Sequence, residues 1–122
     1  MITTTEIARY DWVSFFDSLT HLHIDEPVLV EVLRKDIGAQ LEVKDLPLDG
    51  ITADLNARSA TITIAAGWEP ERHISHVITD PVSVRIARGT AGEDDALEIV
   101  DADRTVTLVF FERPEGWSTA RA

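Results

Sequence analysis

Between Tyr10 and Leu22 the large apolar residues Trp12, Phe15, Phe16, Leu19 and Leu22 fall at positions i, i+3, i+4, i+7 and i+10. That spacing lines one face of a helical period and predicts an amphipathic helix over 10–22. Asp11, Ser14, Asp17, Ser18 and His21 fall mainly off the stripe. Burying five such side chains is worth at most ~1.5–3 kcal/mol each. The sum is comparable to the net stability of a whole domain, so the stripe is read as core.

After Pro27 the period changes to two. Strands are expected over about 28–33, 39–44, 51–55, 60–66, 73–78, 82–87, 96–100 and 105–111. Val28 to Leu33 is apolar except for Glu31, as in a strand covered on both faces. Ile62 and Ile64 alternate with Thr61 and Thr63, and Val82, Val84 and Ile86 with Ser83 and Arg85. Asp36-Ile37-Gly38, Asp80-Pro81 and Asp101 to Arg104 read as turns. Leu46-Pro47-Leu48-Asp49-Gly50 is expected to interrupt pairing, because proline lacks the ladder donor. The tail 114–122 is expected to fray.

No helical period falls between the strands, which excludes a parallel sheet with crossover helices. The predicted fold is therefore α+β, mainly antiparallel β. An N-terminal helix packs on a meandering, strongly curved sheet, or on a small SH3-like or Sm-like barrel. With 122 residues and 44% apolar content, one domain spanning 1–122 is expected.

Charge narrows the partners. The formal net charge is −11, from 22 acidic and 11 basic residues. Such a surface repels phosphate backbones, and the basic positions Arg34, Lys35, Arg85 and Arg88 are scattered. Nucleic acid binding by an Sm-like barrel is thus disfavoured, and no membrane association is expected. The opening residues Met1 to Glu6 resemble no secretory signal, and no apolar run is long enough to span a bilayer. A bacterial, cytoplasmic setting is expected, the first from an arginine-rich, lysine-poor composition.

The chain has no cysteine, so thiolate nucleophiles and cysteine metal ligands are absent. His21 and His23 form one close pair, and His73 and His76 another. Converging in space, they would make a small-ligand or metal-binding module. However, residues three apart in a strand face opposite ways, and His21 and His23 suit a helix C-terminus. Ser75 between His73 and His76 has no elbow motif around it, and no glycine loop cradles a phosphate. The acidic run Glu93-Asp94-Asp95 is read as a solvated turn. No catalytic residue, metal ligand or cofactor is assigned on these grounds, and no enzymatic activity is expected. Trp68 and Trp117, outside the expected elements, are candidate interface residues.

Several runs together carry a resemblance: Asp36-Ile37-Gly38-Ala39-Gln40-Leu41-Glu42-Val43, Leu46-Pro47-Leu48-Asp49-Gly50-Ile51, His73-Ile74-Ser75-His76 with Thr79-Asp80-Pro81, and Ala96-Leu97-Glu98-Ile99-Val100-Asp101-Ala102-Asp103, beside Trp12 and Phe15-Phe16. The chain resembles a family of short bacterial proteins, domain of unknown function 5335, over nearly its whole length. The resemblance implies a stand-alone bacterial domain and carries over no activity or catalytic residue. The function expected is a non-enzymatic protein-interaction or homo-oligomerisation domain. The histidine-based module is the alternative, and the Sm-like nucleic-acid binder comes after it.

Overall fold

The structure, a computed structural model, describes residues 2–56, 59–68 and 70–111. The elements run β1 (Thr3–Glu6), a 3-10 turn (Arg9–Asp11), α1 (Trp12–His23), β2 (Pro27–Arg34), β3 (Gly38–Leu55), β4 (Ala60–Trp68), β5 (Arg72–Thr79), β6 (Pro81–Arg88), β7 (Asp94–Asp101) and β8 (Val106–Phe111). The eight strands form one antiparallel sheet in the order β1-β6-β7-β8-β2-β3-β4-β5. It is not closed, so of the two expected topologies the open sheet is found and the barrel is not. The fold is mostly β with one helix, consistent with the α+β class. No helix among the described residues is long and apolar enough to cross a membrane.

Three features depart from the expected elements. The first is β1, whose β-branched Thr3, Thr4 and Thr5 pair with Arg88, Ala87 and Ile86 respectively at the edge of β6. It carries no alternating apolar residue, so periodicity could not mark it.

The second is β3. The stretch from Leu46 to Gly50 does not interrupt the strand but marks its change of partner. The first half of β3 pairs with β2, up to Pro47 opposite Pro27, and the second half pairs with β4 from Leu48 onward. Asp45 is an extra residue in the first ladder and Asp49 in the second. These bulges bend the strand. Pro47 is tolerated because it stands at the changeover, where its missing donor breaks no ladder. Beside it, the N–H of Leu48 donates to the Glu26 carbonyl at 2.8 Å, and its carbonyl accepts from the N–H of Asp25 at 2.9 Å.

The third is the buried face of α1. Trp12, Phe16, Leu19 and His23 are buried, Phe15 is half-buried, and Leu22 is 65% exposed. At roughly 100° per residue the four buried positions lie within about 60° of one another, with Leu22 on the flank. His23 therefore takes the place expected for Leu22.

Two meanders, β2 to β5 and β6 to β8, are joined by the β8–β2 pairing. Between β5 and β6 a single residue, Asp80, turns the corner at φ 53°. Its N–H donates to the Ala60 carbonyl at 3.0 Å, and its carbonyl accepts from the N–H of Ala102 at 2.9 Å. The core lies on one face of the sheet: Val28, Val30, Leu48, Ile51, Ile62, Ile64, Val84, Ile86, Leu97, Ile99, Val109 and Phe111 cluster with Trp12, Phe16 and Leu19 of the helix. The indole N–H of Trp12 donates to the Ile7 carbonyl at 2.9 Å, fastening the chain between β1 and α1.

Candidate functional site

Position on the helix dictates what His23 can do. It is the last residue of α1, on the buried face, and its ring stacks on Phe111 with centroids 4.3 Å apart. Nδ1 lies 2.8 Å from Oε1 of Glu26, and Nε2 lies 2.8 Å from Oδ2 of Asp94. Each ring nitrogen thus lies within hydrogen-bond distance of a carboxylate oxygen. The second oxygen of Asp94 accepts from Nε of Arg88 at 2.9 Å. Glu26, His23, Asp94 and Arg88 thus form a hydrogen-bonded chain between the end of α1 and the paired ends of β6 and β7. A carboxylate and an imidazole buried together are tolerated only when hydrogen-bonded in this way. With both nitrogens committed, the ring is neither a metal ligand nor an available base. Its geometry is that of a structural clasp.

Asp94 corrects the reading of Glu93-Asp94-Asp95 as a solvated turn. Its side chain is 6% exposed, and it opens β7 rather than lying in the loop. No sequence spacing links residues 71 apart; the one local signal is an arginine six residues before Asp94.

The other histidines have separate surroundings. His21 lines an open groove of about 960 Å³ between α1 and β3, with Ser18, Leu22, Ile24 and Thr52. Nε2 of His73, at the start of β5, lies 3.1 Å from Oδ2 of Asp49. His76 is half-buried in the middle of β5. Burial holds its pKa below the ordinary 6.5, against the pull of the Glu42 carboxylate and with the push of the Arg34 guanidinium. Of the histidines expected as a possible ligand set, His23 and His73 are thus held by different carboxylates, the first by Glu26 and Asp94 and the second by Asp49. Among the described residues no three His, Asp or Glu side chains gather so as to hold a metal ion. Two of the scattered basic residues are engaged by acids. Arg88 is held by Asp94 at 2.9 Å, and Arg85 lies 3.8 Å from Glu6 and 3.9 Å from Glu98.

The lowered pKa of His76 has a consequence for stability. The unfolded chain takes up this proton near 6.5, while the folded chain takes it up only at lower pH. Stability therefore falls as pH drops through 6.5 and stops falling below the folded-state value. Urea midpoints for wild type and His76→Gln, compared between pH 7.5 and 5.5, should show a smaller acid loss in the variant. Equal losses would remove His76 as a source of that dependence.

The remaining candidate is a surface. Trp68, expected in a loop, is the last residue of β4 and is 56% exposed; Trp117 lies outside the described residues. On the face opposite Ile51 and Ile64, Thr52, Thr63 and Val77 stand in one cross-strand row over β3, β4 and β5. Thr52 also lines the groove beside Leu22 and Ile24. Exposed Leu22, Ile24 and Val77 are therefore linked by a band of threonines that carries no charge of its own.

Comparison with known proteins adds one positive finding. No curated protein and no solved structure matches the chain. Residues 3–119 match the model of a family of unknown function, DUF5335, and the chain belongs to that family.

Proposed function

We propose that this protein is a non-enzymatic interaction domain whose contact region is the β4–β5 end of the sheet. One observation carries this. In a chain with 22 acidic residues and a net charge of −11, neither β4 nor β5 contains an Asp or Glu. The absence of charge coincides with exposed apolar area, since Trp68 and Val77 are both more than half exposed. Charged residues are depleted and aromatics enriched where proteins meet.

The edge itself adds support. Sheets are normally blunted at their edges by short strands, lysine, proline or bulges. At one end of this sheet, β1 is only four residues long. At the other, β5 runs eight residues in unbroken register with β4, without lysine, proline or bulge.

The compartment in which such a domain works is read as the bacterial cytoplasm, on composition alone. A photo-reactive amino acid at position 77, introduced into the full chain in its native cells, should cross-link to protein. The same probe at Thr90, an exposed loop position, should not. Equal yields at both positions, or none at position 77, would refute the proposed contact region.

A further inference from the structure

Resting on the interaction role proposed above, we propose that the partner is a second copy of this chain, which pairs β5 with β5 antiparallel about a two-fold axis at His76 and continues the sheet across both copies.

Backbone direction comes first. The hydroxyl of Thr20 accepts from the N–H of Ile51 at 2.9 Å and donates to its carbonyl at 3.1 Å. Both groups of Ile51 therefore point away from β4. Ile51 stands opposite Ile64, and Ile64 opposite His76. Backbone groups alternate sides along a strand. Those of Ile64 and His76 thus face each other, while the N–H and C=O of Ser75 and Val77 face the open edge. Two copies exchange these bonds when Ser75 of one opposes Val77 of the other, which places the axis at His76.

Side chains select this register. With the axis at His76, Arg72 of each copy stands opposite Asp80 of the other, so unlike charges meet at both ends. Ile74 opposes Ile78, and Ser75 opposes Val77. Moving the axis to Ser75 or Val77 keeps the backbone parity but sets Arg72 against Ile78 or Val82. At the centre His76 meets its own symmetry mate. Burial already favours its neutral form, which removes a like-charge contact there.

A second copy is the occupant these features fit. Two chains of charge −11 repel everywhere except where acidic residues are missing, and β4 and β5 are such a place. Two-fold pairing consumes the β5 edge of both copies and leaves the four-residue β1 edges at the two ends of the joined sheet. Pairing β5 with β1 of the next copy would instead build an open filament.

Sedimentation equilibrium of the full chain tests this. Wild type should show twice the 13.5 kDa monomer mass. Val77→Pro removes an outward donor without touching the β4 ladder, and should raise the dissociation constant about 30-fold. Arg72→Glu, at an exposed position, sets like charges opposite Asp80 and should raise it about 10-fold. Far-UV circular dichroism and the melting temperature check that each variant is folded. A folded Val77→Pro that associates like wild type, or an Arg72→Glu with unchanged association, overturns the proposal. A wild type that cross-links from position 77 yet sediments as a monomer at several hundred micromolar overturns the second copy and leaves the interaction role standing.

Discussion

His23→Ala is expected to lower the stability of the fold by about 3–5 kcal/mol, a large part of the ~5–15 kcal/mol available to a typical domain. The imidazole lies between Glu26 and Asp94 at 2.8 Å on either side and covers the ring of Phe111. Truncation removes both hydrogen bonds and the stacking contact. It leaves the Asp94 carboxylate, with its side chain 6% exposed, on Arg88 alone. An under-satisfied buried carboxylate accounts for most of the loss. Asp94→Asn should cost less, because the amide still offers polar atoms to His23 and Arg88. In the double variant His23→Ala/Asp94→Asn the loss should be smaller than the sum of the two single losses, as for coupled groups. Urea denaturation of the four proteins measures this directly. A loss below ~1 kcal/mol for His23→Ala, or strict additivity, would show that the clasp does not hold α1 to the sheet.

Gly67→Ala should cost roughly 3–5 kcal/mol for a different reason. Gly67 has φ +121°, a conformation that residues with a side chain rarely adopt. A Cβ there would also run into the carbonyl oxygen of Arg72 and approach its carbonyl carbon to 2.8 Å. The obstacle is backbone, so no rotamer change relieves it. Gly92 is the control: its φ is +82° but nothing lies within 4 Å of an added Cβ. Gly92→Ala should therefore cost only the backbone term of ~1–2 kcal/mol. Thermal unfolding of both variants separates strain from collision, and equal effects would contradict the account. Because Gly67 stands opposite His73 in the β4–β5 ladder, Gly67→Ala should also loosen the proposed contact edge.

Much of the fold is legible in the order of apolar and polar residues. The stripe Trp12, Phe16, Leu19 identifies the helix, and the alternation of Ile62, Ile64 and Val84, Ile86 identifies the central strands. Asp80-Pro81 and Asp101 to Arg104 mark turns that the structure contains. What remained hidden depends on contacts distant in the chain. Pro47 looks like a break until β2 and β4 are seen to share β3 on either side of it. His23 looks like a residue at a helix end until Asp94 and Phe111 arrive from β7 and β8. Thr3 to Thr5 show no period of their own and are strand only because β6 lends them an edge. The proposed contact region could be half seen. The lack of acids in residues 60–68 and 72–79 is plain in the sequence, but that β5 is an edge, and which of its backbone groups face outward, follows only from the register.

Those outward groups offer the most direct test. Amide hydrogen exchange should be followed at Ser75 and Val77 in the full chain at high and low protein concentration. Both amides should be protected at high concentration and exchange freely on dilution, while the amides of Ile74 and His76, which face β4, stay protected throughout. Rapid exchange at Ser75 and Val77 at every concentration would mean that the β5 edge stays open, and would contradict the central claim.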